Sequence, residues 1–189
     1  MNPSQRKPEY FGDEIKWLRA VDLNNSFVFE TTRRLSREGF DSAGKSALLF
    51  EPDTLAISKS GTIGRIGILK DYMCGNRAVI NIKPKRDVCG VQFVFETLRV
   101  YKQQIVELAT GSVQKNLYTS VLGSQKIVLP TPEVISAFEQ ATCDLTEFGA
   151  AILLESHRLS ALRDTLLPQL LSGKLPIPEA LTVTEEALA

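Results

Sequence analysis

Between Val134 and Leu171 apolar residues recur with a period of seven, and no single helix can bury the stripe that this repeat creates. One column is Phe138, Leu145, Ile152, Leu159 and Leu166; the other is Val134, Ala141, Phe148, Glu155, Leu162 and Gln169, so nine of eleven positions are apolar. The spacing predicts one long helix with a coiled-coil seam. At about 1.5 Å per residue it would run over roughly 50 Å, longer than a small domain is wide, so it calls for a partner of similar length. Glu155, Ser156, His157 and Arg158 interrupt the columns near mid-helix, where an antiparallel pair of identical helices would bring its two centres together. A polar centre of that kind fixes register and direction. Pro168 has no amide hydrogen, so a kink or stop is expected there, before the Ser172-Gly173 exit. The alternative is an amphipathic helix folded onto its own domain.

Formal charge sums to zero over the 189 residues, yet it divides along the chain. Residues 1–132 hold 19 Lys and Arg against 13 Asp and Glu, whereas residues 133–189 hold 3 against 9. A basic front on an acidic rod points to a polyanion met by the front alone, although ordinary surface variation would give the same excess. No run approaches the roughly 20 apolar residues of a membrane span, and Met1 to Gly12 is polar without a signal peptide. No membrane partner is expected. Cys74, Cys89 and Cys143 are odd in number and lack paired spacing, which suggests reduced thiols and a cytoplasmic location. One histidine and scattered cysteines leave no expected metal or cofactor.

Taken in order, the front reads as a mixed α/β domain, making the whole chain α+β with one long C-terminal coiled-coil helix. Asn2 to Asp13 is an irregular lead-in. Ile15 to Leu23 has strand character, and Phe27 to Leu35, which carries Arg33 and Arg34, is a second strand or a turn into a helix. Asp41 to Lys45 is loop-like, with short apolar runs at 47–50 and 54–58 separated by Glu51-Pro52-Asp53. Ile66–Leu69 and Ala78–Ile82 flank the turn at 71–76 in the manner of a hairpin. Val91 to Ala109 is expected to be one helix whose stripe of Val94, Leu98, Tyr101, Ile105 and Leu108 packs on the sheet. Ser112 to Ser124 reads as polar loop with Gln114 and Lys115 exposed, and Lys126–Leu129 as a last short strand. Pro130-Thr131-Pro132 marks the boundary before the helix.

The densest signal in the front is Ser58-Lys-Ser-Gly-Thr-Ile-Gly-Arg-Ile-Gly67. Its glycines, at 61, 64 and 67, run G-x-x-G-x-x-G, which is neither the dinucleotide fingerprint nor a phosphate loop. They permit tight turns and close backbone approach. Lys59, Ser60, Thr62, Arg65, Asn76 and Arg77 would gather on connecting loops, where such side chains suit phosphates and base edges. The bland reading is that the glycines only shape a hairpin. Enzyme motifs are missing: there is no Asn-Pro-Pro-aromatic methyltransferase sequence and no helicase phosphate loop, and His157 has no nucleophile beside it.

Five stretches in order, KPEYFGDEIKWLRAVDL at 7–23, ISKSGTIGRIGILK at 57–70, ATGSVQKNL at 109–117, IVLPTPEV at 127–134 and above all LRDTLLPQLLSGKLPIP at 162–178, resemble type I restriction-modification specificity subunits. The resemblance covers nearly the whole chain. In that family one polypeptide usually carries two target recognition domains held apart by two antiparallel helices. This chain departs from the pattern: it has one domain and one helix, and it begins late relative to the family's start. The resemblance implies a DNA target recognition domain at 1–132, a spacer and dimerisation helix at 133–173 and a tail at 174–189.

It implies further that the chain is a non-catalytic reader of half of a bipartite target in double-stranded DNA. Pairing with a second copy through Phe138, Ala141, Leu145, Phe148, Ile152, Leu159, Leu162 and Leu166 would rebuild two domains and two helices. Methyl transfer would belong to separate modification subunits and cleavage to a restriction subunit reached through the complex. Lys59, Arg65, Lys115, Arg33 and Arg34 are the expected phosphate contacts, and Ser60, Thr62, Asn76, Arg77 and Gln114 the expected base contacts. The alternative is a truncated remnant or regulator that binds partner subunits without reading DNA.

Overall fold

Leu55-Ala-Ile-Ser58 alternates large and small side chains, and one strand thereby faces two different layers of core. In the structure, a computed structural model that describes residues 2–111 and 114–177, this segment is the centre of the front unit. The described strands are β1 (Phe11–Gly12), β2 (Ile15–Leu18), β3 (Ser26–Val28), β4 (Arg34–Leu35), β5 (Leu49–Phe50), β6 (Leu55–Ser58), β7 (Ile66–Leu69), β8 (Met73–Gly75) and β9 (Val79–Ile82). The helices are α1 (Arg37–Asp41), α2 (Val91–Val100), α3 (Lys102–Glu107), α4 (Thr119–Gly123) and α5 (Pro132–Leu171). The class is α+β, as expected. Two sheets form, β1-β4-β2-β8-β5 and β3-β7-β6-β9, with only β2–β8 and β3–β7 parallel.

Leu55, Ile57, Ile66, Ile68 and Ile80 point to one side of the second sheet, where Phe95, Ile105, Ala109 and Leu117 cover them. On the other side Ala56, Leu69 and Val79 pack with Leu18, Leu23, Val28 and Met73. A third cluster, Trp17, Leu35 and Cys74, belongs to the first sheet. Burial pushes the Cys74 thiol above its ordinary pKa, so it stays protonated and packs as a small apolar group.

Several expectations need correction. β7 and β9 are not a hairpin: β6 lies between them, and β8 joins the other sheet. The strand expected at 15–23 ends at Leu18, because the Asp22 carboxylate accepts the Arg19 amide at 2.8 Å and turns the backbone into a short 3-10 helix at Ala20–Asp22. The helix expected at 91–109 breaks at Tyr101 into α2 and α3, although Val94, Leu98, Tyr101, Ile105 and Leu108 all pack on the core as expected. Segment 112–124 is not wholly loop, since Thr119–Gly123 is helical, and 126–129 has no regular secondary structure and pairs with no described strand. The helix α1 went unread; Ser36 caps it by accepting the Gly39 amide at 3.1 Å.

Contact density divides the chain into units 1–143 and 144–189. The first dozen residues of α5 belong to the front unit, and the helix continues through the division. Pro168 does not end it, for the helix runs on to Leu171. The tail expected at 174–189 lies outside the described residues from 178 onward.

An ion network staples β2 to its surroundings. The Lys16 ammonium, on a side chain only 13% exposed, meets Glu30 and Asp71 at 2.7 Å each and donates to the Phe29 carbonyl at 2.6 Å. The Lys16 hydrogen bond holds the Asp71 carboxyl below its ordinary pKa against the cost of burial. For Glu30, burial works upward, but hydrogen bonds from Lys16 and Arg34 outweigh it and the net shift is down. Depressed carboxylates stabilise the fold above their unfolded pKa, and this contribution fades as pH falls through the lower folded values. We expect Lys16→Met to cost about 1–2 kcal/mol at pH 7, a figure already reduced because both carboxylates are half exposed. Urea unfolding at pH 7 and pH 3 checks this: the gap between wild type and variant should narrow at the lower pH.

Candidate nucleic-acid interface

Strand pairing decides which loops meet. Ser58 ends β6 opposite Val79, the first residue of β9, and the Lys59 amide donates to the Ala78 carbonyl at 2.8 Å. Ile66 opens β7 opposite Ile57 on the same strand, so Arg65 sits at this end of the sheet too. Asn25, just before β3, donates its amide to the Ile66 carbonyl, and its side-chain oxygen accepts the Ile66 amide at 3.2 Å. The loop at 59–65, the turn at 76–78 and the entry to β3 therefore share one end of the four-stranded sheet.

A fourth segment joins them from far along the chain. Ser60 bridges to Asn116, and the Leu117 amide donates to the Lys59 carbonyl at 2.8 Å. Asn116 exchanges both backbone hydrogen bonds with Thr110, and its side-chain amide donates to the Gln114 carbonyl at 3.1 Å. Gln114 and Lys115 thus stand beside Lys59 and Ser60.

The glycine loop is held firmly. Ser58, fully buried, donates its hydroxyl to the Thr62 carbonyl and accepts the Arg65 amide at 3.0 Å. Gly61 and Gly64 have φ of +72° and +82°, values that side-chain-bearing residues rarely adopt. A Cβ at Gly64 would also lie 2.9 Å from Val106 of α3. The loop is seated on α3, and Lys102 lies along the same contact.

Electrostatics separates the expected contacts. Among the described residues the charged ends of Lys59, Arg65, Arg77 and Lys115 form no ion pair and no side-chain hydrogen bond. They are uncommitted cations around one loop cluster. Arg33 lies over the Phe11 ring at 5.5 Å and donates to Gln5 at 3.1 Å. Through this lead-in it is tied to Arg77, whose amide donates to the Asn2 side chain at 3.2 Å. Arg34 is committed elsewhere: it donates to Glu30 and to the Asp13 carbonyl, both at 2.8 Å. Asn76 spends its side-chain oxygen on the Ala78 amide at 2.8 Å and shapes the turn. Thr62 is exposed.

Asn25, Ser58, Lys102 and Asn116 were missed as part of this site. Only the Ser-Gly pattern of the loop hinted at Ser58; Lys102 and Asn116 become neighbours of the loop through tertiary pairing alone. Among the described residues no group of three His, Cys, Asp or Glu gathers as a metal site would require. The arrangement offers cations, hydroxyls and amides on loops held by backbone and side-chain hydrogen bonds, which suits binding to an extended anion.

Along α5 the seam residues differ in surroundings. Phe138 is half-buried against Phe93, with ring centroids 6.0 Å apart. Leu162 and Leu166 are partly covered, whereas Ala141, Leu145, Phe148, Ile152 and Leu159 are exposed, Leu145 at 72% and Phe148 at 66%. No helix among the described residues is long and apolar enough to cross a membrane.

Residues 3–159 match the type I restriction modification DNA specificity domain. The chain is 27% identical over 177 residues to the type I restriction enzyme HindI specificity subunit of Haemophilus influenzae, covering 92% of this chain and 38% of that protein. It is 28% identical over 135 residues to the MjaIX specificity subunit of Methanocaldococcus jannaschii, covering 69% of this chain and 31% of that one. The chain therefore spans well under half the length of these relatives. Its fold is similar to the crystal structure of a type I restriction-modification S subunit from M. genitalium, with a TM-score of 0.55 at 17% identity over 91% of this chain and 42% of the other. A structure from a study of type I system assembly gives 0.52 at 16% identity, over 84% of this chain and 39% of that chain.

Proposed function

We propose, from the premise that this chain belongs to the type I restriction modification DNA specificity family, that it is a non-catalytic reader of one half of a bipartite DNA target. In this reading residues 1–132 are the recognition domain, 133–173 the spacer helix and 174–189 the tail. The observation that carries it is the convergence of Lys59, Arg65, Arg77 and Lys115, uncommitted cations from three separate segments, at one end of the β3-β7-β6-β9 sheet. Lys59, Arg65 and Lys115 neutralise phosphates, and Arg33, held over the Phe11 ring, supplies a further phosphate contact. Ser60, Thr62, Arg77 and Gln114 read base edges. Asn76 and Arg34 contribute less than their residue types promise, because their polar atoms are already engaged within the fold.

The exposed seam from Leu145 to Leu159 takes a second copy of this chain, giving two readers and an inverted-repeat target with a fixed gap. The remaining faces of the assembly engage modification subunits, which carry out methyl transfer, and through them a restriction subunit, in the cytoplasm.

Arg77→Ala separates reading from attraction. If Arg77 forms a bidentate pair with a base, its loss should reduce binding to the target by about 1–3 kcal/mol while leaving unrelated DNA nearly unaffected. Fluorescence anisotropy with target and scrambled duplexes gives the answer; equal losses on both would reassign Arg77 to a phosphate.

A further inference from the structure

Helix α2 follows Gly90, a capping position with no side chain to receive the first amide hydrogens of the helix. The acceptor comes from α5: the Glu139 carboxylate accepts the Phe93 amide at 3.2 Å. Glycine at 90 is what makes room, since a Cβ there would lie 2.4 Å from both carboxylate oxygens. Unpaired amides and the helix dipole both favour a carboxylate at this position. The residue before it, Phe138, meets Phe93 edge-on at 83°, and Ile135, one turn earlier, is only 6% exposed. A charge-assisted hydrogen bond and an aromatic pair thus bind the same α2 residue to one turn of α5, all within residues 1–143.

We propose that Glu139 is a positioning residue: it seats the root of the long helix on α2, and the gap between half-sites that the assembled protein accepts is set at this joint. The inference rests on the reading of the chain as a DNA reader with a spacer. The leverage is geometric. From Glu139 to the end of α5 at Leu171, roughly 48 Å of helix, an angular play of about 5° at the root displaces the far end by about 4 Å. That is a little over one base pair at roughly 3.4 Å each. A loose joint would blur the gap without touching the half-site.

Two variants test it, Glu139→Ala alone and Glu139→Ala combined with Gly90→Ser, where the serine supplies α2 with its own cap. In the first, hydrogen exchange of the Phe93 amide should quicken by about five- to tenfold, as expected for a lost cap. In the second, protection of α2 should return. With modification subunits present, both variants should bind a duplex carrying a single half-site as wild type does, while discrimination between the best gap and gaps one base pair longer or shorter falls severalfold. A gap preference as sharp as wild type in both variants would overturn the proposal, as would unchanged exchange in Glu139→Ala. Wild type showing no sequence preference on any duplex would overturn the DNA-reading premise instead, and the exchange data would still decide whether Glu139 seats the helix.

Discussion

Leu159→Asp should convert a paired chain into a monomer while leaving the front unit folded. Leu159 is 44% exposed and Ile152 50%, so neither is satisfied within one chain. In an antiparallel pair each copy would bury its own Leu159, and burial of one leucine is worth about 1.5–3 kcal/mol. With 44% of each side chain left for the partner to cover, two lost leucines amount to roughly 1.3–2.6 kcal/mol per pair, or about tenfold to eightyfold in the dissociation constant. The aspartates add the cost of a charge moved out of water without a partner. Light scattering over a concentration series checks the mass, and circular dichroism with thermal unfolding checks the front unit. A variant with the wild-type mass would mean that the seam is not the pairing surface.

Replacing Lys59, Arg65 and Lys115 together by alanine should reduce DNA binding of every sequence. Each neutralised phosphate contributes about 0.9 to the slope of log affinity against log salt, so three lost contacts should lower that slope by about 2.7. At 0.15 M salt this corresponds to a loss of about a hundredfold. The fold should survive, because none of the three charged ends is used in an ion pair among the described residues. Salt titrations of binding to target and scrambled duplexes measure the slope. An unchanged slope would place the DNA on another surface.

What could be read in advance depended on the range of the signal. The helix at 132–171 was legible because a seven-residue repeat sustained over five heptads is a local pattern that little else produces. The stripe from Val94 to Leu108 was legible for the same reason, although its backbone breaks at Tyr101 without any glycine or proline to announce it. Strand order was not legible. β7 and β9 look like a hairpin because they are close in sequence, but the pairing with β6 decides, and it depends on Leu55, Ile57, Ile68 and Ile80 sharing one buried layer.

The candidate site shows the same division. The glycine loop could be located by composition, whereas its contact with Asn116 is a tertiary bridge that no local pattern encodes. Arg34 could have been read differently, since Glu30 stands four residues before it and pairs with it. Nothing in the sequence pointed to Glu139 as the cap of a helix more than forty residues earlier.

The most direct test of the account is selection of bound duplexes from a randomised pool by the purified chain together with modification subunits, followed by sequencing. The account predicts enrichment of one short motif and its inverted copy at a single fixed separation. Enrichment of no motif, with retention of all sequences in proportion to their abundance, would contradict the claim that this chain reads DNA.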